Sequence, residues 1–227
     1  MRQIVIDTET TGLDPKQGHR IIELAAVEMV SRRVTGEVRH WYLNPERDIG
    51  EDATKIHGMR WDDLKDKPRF TDIADEFIGF CHDAEWIIHN AAFDLEFLDA
   101  ELARARKPLC ETFYGGVMDT LMEARRQFPG KLNSLDALCS RFGISNAHRT
   151  LHGACLDAQL LADVYLALTR GQESLVIAAP PGHDVQILRT IPHNIKVLEA
   201  SPEERAAHEA YLDELRKKGA CLWASSF

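Results

Sequence analysis

Two carboxylates stand two positions apart near the amino terminus, directly after an apolar run. Residues 3–6 predict a buried strand, and Asp7 and Glu9 follow at its end in a polar turn. Because side chains two positions apart in a strand point to the same side, both carboxylates can bind one cation. Hard divalent ions such as Mg²⁺ and Mn²⁺ prefer carboxylate oxygens. The pair alone also fits a solvated acidic turn, so a metal site requires further ligands.

Two more acids and a histidine stand further along the chain, where they can complete such a site. Asp94 lies just inside a predicted helix that follows a short apolar strand, and Asp157 lies on a helix otherwise committed to core packing. His152 precedes Asp157 by five residues, so it is expected near the start of that helix, facing the site without being a ligand. Taken singly, each residue also has an ordinary structural explanation as a polar residue of a first helical turn or of the surface.

Three segments of the sequence contain these five residues: IVIDTETTGLD, IIHNAAFD and TLHGACLDAQLLADVY. In order and separation they resemble the three motifs of the DEDDh family of 3′→5′ exonucleases. The resemblance implies a ribonuclease H-like fold and a site of four acids and one histidine. It further implies that Asp7, Glu9, Asp94 and Asp157 hold two divalent cations, Mg²⁺ or Mn²⁺. His152 would be the general base that takes a proton from the attacking water.

The same resemblance implies where the nucleotide binds. His57, in the sequence Ile-His-Gly-Met, would line the nucleotide pocket with Asp52 as a neighbour, although a plain surface loop also fits this segment. Thr8 is placed to meet the terminal nucleotide. The expected substrate-binding residues are therefore Thr8, Asp52 and His57, together with Asp7, Glu9 and Asp157.

The pattern along the chain predicts an α/β fold, a mixed β-sheet flanked by helices, with a C-terminal extension. Strands are expected at 3–6, 20–30, 37–43 and 86–89, and the first three predict an antiparallel meander. Helices are expected at 70–81, 91–105, 134–142 and 152–168, and a further segment from Val117 is expected to continue as a helix to about Phe128. The exonuclease domain is expected to span residues 1–171.

Two segments follow that domain. Residues 172–200 are predicted to be a linker. Its first six residues resemble short peptides that bind a sliding clamp, with Gln172, Leu175 and Ile177 as the anchor residues. Unlike the usual form of such peptides, this segment has no aromatic residue at its end. Residues 201–227 begin with a capped helix from Pro202 to Lys218.

The tail at 201–227 is similar to that of proofreading subunits of bacterial replicative polymerases. Tyr211 and Leu215 lie on one narrow apolar stripe of its helix, and Leu222 and Trp223 follow as further anchors. The tail therefore predicts docking onto a polymerase subunit. The alternative is an extra helix that folds back on the nuclease domain.

The composition excludes collagen-like, low-complexity and wholly disordered proteins. The chain has 227 residues with 44% hydrophobic and 28% charged residues, which is typical of a globular protein. Five cysteines without a CxxC pair predict reduced packing thiols, and the absence of a long apolar run predicts a cytoplasmic protein with no membrane partner. The net charge of −9 disfavours non-specific attraction to DNA. It does not exclude a nucleic-acid enzyme, because a site built of carboxylates is acidic until divalent cations bind to it.

These observations predict a metal-dependent exonuclease that acts on the 3′ end of single-stranded or frayed DNA, removing mispaired nucleotides for a replicative polymerase. Two alternatives remain at this point. A related nuclease would act on RNA or on repair intermediates, and a non-catalytic adaptor would join polymerase to clamp.

Overall fold

The computed structural model describes residues 1–146, 151–170 and 200–218. Contacts within the chain divide it into two units, Met1–Val176 and Ile177–Phe227. Five residues of the predicted partner-binding set lie outside the described residues: Gln172, Leu175, Ile177, Leu222 and Trp223.

Five strands form one mixed sheet. They are β1 (Arg2–Thr10), β2 (Ile21–Val30), β3 (Arg33–Tyr42), β4 (Glu85–Ile88) and β5 (Gly116–Asp119). The sheet order is β3-β2-β1-β4-β5, in which β1, β2 and β3 are antiparallel, while β4 and β5 run parallel to β1. The predicted meander is confirmed. Because β1, β4 and β5 are parallel, their carboxyl ends lie at the same edge of the sheet.

The described residues contain eight α-helices. They are α1 (Glu51–His57), α2 (Trp61–Leu64), α3 (Phe70–Cys81), α4 (Ala91–Arg104), α5 (Thr120–Gln127), α6 (Leu135–Phe142), α7 (Ala154–Leu168) and α8 (Pro202–Lys218). The predicted bounds of α3 and α8 are confirmed. In the described residues, no helix is both long and apolar enough to cross a bilayer.

Three predicted boundaries differ from the structure by more than one residue, and two of them concern the site. Strand β1 continues to Thr10 because it pairs with β2 as far as Ile21, so Asp7 and Glu9 lie within the strand rather than in a turn after it. Helix α7 starts at Ala154, after the extended residue Gly153, so His152 lies in the preceding loop. Strand β3 begins four residues earlier than predicted, at Arg33, where it pairs with the end of β2.

Apolar layers cover both faces of the sheet. Ile4 and Ile6 of β1 belong to one layer, with residues of α3 and α4 such as Phe77, whereas Val5 belongs to the other, with residues of α6 and α7 such as Leu161. A strand buried on both faces has a continuous apolar sequence, which explains the run at the amino terminus.

The same alternation continues to the end of β1. Thr8 follows Ile4 and Ile6 and points to the layer of α4, while Asp7 and Glu9 follow Val5 and point to the layer of α7. The strand end can therefore receive catalytic groups from both layers.

The cysteines behave as packing residues where the structure describes them. Cys81 and Cys110 are buried in the layer of α3 and α4, and Cys139 is buried in the layer of α6 and α7. Cys155 is partly buried, and none of these four cysteines forms a disulfide. The predicted packing role is confirmed for Cys81, Cys110 and Cys139.

Helix α8 belongs to the second unit and begins with the predicted cap. The Glu204 amide donates to Ser201 Oγ at 3.2 Å, and the Ser201 amide donates to Glu204 Oε2 at 2.8 Å, which forms a capping box. Tyr211 is 60% exposed and Leu215 is 36% exposed, whereas Leu212 is buried. Two of the predicted docking anchors are therefore accessible to a partner.

Candidate active site

Four of the five predicted catalytic residues line one cavity of about 750 Å³ at the carboxyl end of β1. They are Asp7, Glu9, His152 and Asp157. Ligand atoms of Glu9, His152 and Asp157 lie within 4.8 Å of one another. Asp157 is only 3% exposed although it carries a carboxylate. A buried carboxylate next to a second acid favours a cation, because the positive charge offsets the repulsion between the two acids.

Asp94 reaches the same strand end from the opposite layer. It lies in the first turn of α4, is 4% exposed, and accepts a hydrogen bond at 2.7 Å from the hydroxyl of Thr8. Because Thr8 stands between Asp7 and Glu9 in β1, this bond holds Asp94 at the strand end that carries those two acids. Burial raises the pKa of Asp94 to about 7, although the Thr8 hydroxyl favours the carboxylate.

This pKa shift predicts how the stability of the metal-free protein depends on pH. The ordinary pKa of the carboxyl is 3.8 and the folded value is about 7, so between these values the folded state binds more protons than the unfolded state. Stability contributed by Asp94 is therefore lost as the pH rises from 4 to 7. Asp94→Asn cannot ionise and keeps an oxygen for Thr8. In EDTA at pH 8, we expect it to melt above the wild type by about 5 to 10 °C.

Thermal unfolding of both proteins at pH 8 and pH 4 measures this effect. The difference is expected to vanish at pH 4, where the wild-type carboxyl is protonated in the folded state. A variant that melts below the wild type at pH 8 would show that the fold stabilises Asp94 as a carboxylate.

His152 is held in a loop that packs against α1. Its amide donates to the carbonyl of Ile56 at 3.1 Å, and its Nδ1 lies 3.3 Å from Asp157 Oδ2. Gly58, which ends α1, has a φ of +79°, and a Cβ there would lie 2.6 Å from Leu151 Cδ1. Glycine at 58 thus permits the close approach of the loop. The imidazole of His152 is 46% exposed, so it is accessible from the cavity.

A second cavity of about 620 Å³ meets the first at Thr8 and Glu9, which line both. His57 lines this smaller cavity and is 6% exposed. Burial lowers the pKa of His57, and its Nδ1 accepts a hydrogen bond from the Met59 amide at 3.1 Å, so the proton of the neutral ring lies on Nε2. That buried Nε2 has no hydrogen-bond partner among the described residues. An unsatisfied buried donor is costly, which favours a ligand oxygen there.

Asp52 lines the same cavity as His57 but lies at its solvent side. Its side chain is 97% exposed and forms an ion pair with Lys55 at 2.9 Å. The hydrogen bond from Lys55 lowers the pKa of Asp52. The predicted substrate residues Thr8, Asp52 and His57 thus share one cavity, while the hydroxyl of Thr8 is committed to Asp94.

Sequence reasoning missed Asp119, the last residue of β5. Its carboxylate caps α5 by accepting from the Leu121 and Met122 amides, at 2.8 and 3.1 Å. It also accepts from the Asn90 and Ala91 amides at the start of α4, at 3.3 and 3.1 Å. An aspartate between a strand and a helix signals a cap, but the bonds to α4 depend on the parallel pairing of β4 with β5. Asp119 therefore fixes the helix that carries Asp94.

Comparison with known proteins adds close relatives. The family model described as Exonuclease matches residues 4–165. The DNA polymerase III subunit epsilon of Escherichia coli (strain K12) is 48% identical over an alignment of 235 positions, which covers 98% of this chain and 97% of the relative. The subunit of the same name from Rickettsia felis is 46% identical over 226 residues, with 96% and 98% covered.

Solved structures share the fold at lower identity. Exonuclease X in complex with 5′ overhanging duplex DNA has a TM-score of 0.58 at 24% identity, covering 74% of this chain and 90% of its own. Escherichia coli Exonuclease I in complex with a dA16 oligonucleotide has a TM-score of 0.66 at 19% identity, covering 75% and 41%. The predicted ribonuclease H-like sheet flanked by helices is confirmed. Since the family model spans most of the nuclease unit and near full-length relatives exceed 45% identity, the chain belongs to the exonuclease family.

Proposed function

We propose that the chain is the proofreading 3′→5′ DNA exonuclease of a replicative polymerase, equivalent to the epsilon subunit of DNA polymerase III. The observation that carries this proposal is the convergence of Asp7, Glu9, Asp157 and His152 on one cavity, with Asp94 buried and bonded to Thr8 at the same strand end. The near full-length identity to epsilon subunits supports the polymerase association.

The donor set fits divalent cations. Asp7, Glu9, Asp94 and Asp157 offer only carboxylate oxygens, which are the ligands that Mg²⁺ and Mn²⁺ prefer, and two of the four are buried. We assign these four side chains as the ligands of two such cations. When bound, the cations supply the Lewis acidity that activates a water molecule and stabilises the leaving 3′-oxygen.

His152 would act as the general base. A proton on Nδ1, facing Asp157 at 3.3 Å, leaves Nε2 as the nitrogen that can accept the proton of the attacking water. Asp157 would thereby orient the imidazole while it serves as a ligand.

The smaller cavity would hold the 3′-terminal nucleotide. Its volume of about 620 Å³ suits one nucleotide, and the buried Nε2–H of His57 would donate to an oxygen of that nucleotide. Asp52, at the solvent side of the same cavity, would contact the nucleotide from the rim. Thr8 lines this cavity too, and its bond to Asp94 joins the nucleotide site to the catalytic acids.

The C-terminal segments would bind the rest of the replication machinery in the cytoplasm. We assign the polymerase III alpha subunit as the partner of the tail, with Tyr211, Leu215, Leu222 and Trp223 as anchors. The sliding clamp would bind the segment that contains Gln172, Leu175 and Ile177. The exposed ring of Tyr211 supports a docking role, since such aromatic side chains are frequent anchors of interfaces.

Truncation after Arg170 tests the docking assignment. Because the five catalytic residues and both apolar layers precede that point, the truncated chain is expected to fold and to release nucleotides at the full-length rate. It is expected to lose association with the alpha subunit, measured by pull-down against full-length protein. Equal recovery of the alpha subunit, or a truncated chain that unfolds, would contradict the assignment.

A comparison of three substrates tests the function itself. Initial rates of nucleotide release would be measured on a primer with a mispaired 3′ end, the same primer fully paired, and single-stranded RNA. The mispaired end is expected to be degraded faster than the paired end, because its terminal nucleotide is already free to leave the duplex. Faster release from RNA would instead assign the chain to RNA processing, and no release from any substrate would leave only the adaptor role.

A further inference from the structure

The two cavities meet at Thr8 and Glu9, next to Asp7, and the proposed exonuclease would use both. The scissile phosphate must lie at the acids, the terminal nucleotide on one side of it and the rest of the strand on the other. With the terminal nucleotide in the smaller cavity beside His57, the strand has to continue through the larger cavity. The assignment of strand polarity thus rests on the proposed function.

The charged residues that line the two cavities support the same strand direction. The smaller cavity has Asp14, Glu51 and Asp52 on its walls, and the described residues that line it include no lysine or arginine. Such walls repel a chain of phosphates. The larger cavity is also lined by acids, Asp136 and the catalytic ones, but unlike the smaller cavity it has Arg125 and Lys131 on its walls as well. Lysine and arginine are the side chains that neutralise backbone phosphates in nucleic-acid complexes.

Arg125 and Lys131 both lie in segments whose backbone is held in place by the fold. Arg125 lies in the last turn of α5 and lines the larger cavity together with His89, whose pKa is lowered mainly by burial and to a smaller extent by the charge of Arg125. Lys131 lies in the segment that joins α5 to α6.

The segment around Lys131 is braced by the buried amide of Asn133. Its Nδ2 donates to the carbonyls of Phe128 and Lys131 at 3.2 and 3.0 Å, and its Oδ1 accepts from Arg141 at 3.0 Å. The position of Lys131 is therefore set by the fold rather than by a free loop.

The neighbouring Arg126 has a different environment. It forms a two-bond ion pair with Glu123, at 2.6 and 2.9 Å, and does not line the larger cavity. A substitution of Arg126 is therefore a matched control for a substitution of Arg125, because the two residues are neighbours on the same helix.

We propose that Arg125 and Lys131 form a phosphate-binding subsite for the 5′ phosphate of the penultimate nucleotide. The guanidinium and the ammonium hold the strand in register so that the next phosphodiester lies at the acids. Their positive charge also offsets the field of the clustered carboxylates, which otherwise opposes entry of a polyanion. The subsite reads the backbone and not the base, as a nuclease that removes any nucleotide requires.

Two dinucleotides isolate this phosphate. Both pdTpdT and dTpdT contain one scissile phosphodiester and the same terminal nucleotide, but only pdTpdT has the 5′ phosphate. For the full-length protein with Mg²⁺, kcat/KM is expected to be higher for pdTpdT by about 10- to 100-fold, the usual contribution of hydrogen bonds to a charged group. Arg125→Ala and Lys131→Ala are each expected to lower this ratio by about tenfold. Arg126→Ala is expected to retain it.

The ratio is measured on one protein sample, so partial loss of folded protein changes both rates equally and leaves the ratio unaffected. A wild-type ratio near one, or a ratio that neither alanine variant lowers, would overturn the subsite. Failure of the wild type to hydrolyse either dinucleotide would instead count against the proposed nuclease function.

Discussion

Asp7→Ala is expected to lower Mg²⁺-dependent nucleotide release by about 10³-fold or more, because a carboxylate ligand of the cations is lost and their contribution amounts to several kcal/mol. Melting of the metal-free protein is expected to stay the same or to rise, since clustered carboxylates repel one another. Glu9→Ala is expected to behave in the same way. Rates on a labelled oligonucleotide and thermal unfolding in EDTA measure the two effects.

Asp62→Ala is the matched control for these variants. Asp62 is an exposed aspartate that pairs with Lys65 and lines neither of the two cavities. Its removal is expected to leave the rate unchanged. Near-normal Mg²⁺-dependent release by Asp7→Ala would show that the cations, if bound, are held by other residues.

His152→Ala is expected to lower turnover by a factor of about 10² to 10⁴, which general acid–base catalysis typically contributes. Cation binding is expected to survive, because the four carboxylates remain. The wild-type rate is expected to fall at acid pH, where a protonated imidazole can no longer accept a proton, and the variant is expected to lose this dependence.

A second histidine controls for that experiment. His82 is exposed, lies next to Asp83 and lines neither of the two cavities, so His82→Ala is expected to keep the wild-type profile. A His152→Ala protein that retained the acid fall of the wild type would place the base elsewhere.

The sequence predicts elements well where periodicity is strong and local. Helix α3 has apolar residues at helical spacing, and α8 has a capping box at its start, so both were predictable to the residue. Helices α1 and α2 have only seven and four residues, too short for an apolar stripe, so a polar loop was the natural prediction for that segment.

The site was predictable only in part, because some of it depends on pairings between distant segments. The three motifs indicate that Asp7, Glu9, Asp94 and Asp157 belong together, but not that a hydrogen bond from Thr8 fixes Asp94 from the opposite layer. The multiple bonds of Asp119 arise from the parallel pairing of β4 with β5, and the presence of Arg125 in the same cavity as the acids arises from the packing of α5. No local pattern contains this information.

Anomalous diffraction from crystals soaked with Mn²⁺ and thymidine 5′-monophosphate tests the metal site most directly. Two manganese peaks are expected within coordination distance of carboxylate oxygens of Asp7, Glu9, Asp94 and Asp157, with the nucleotide in the cavity of His57. Manganese held only by other acids, such as Asp14 and Glu51, or no peak beside Asp7, would contradict the assignment of these four carboxylates.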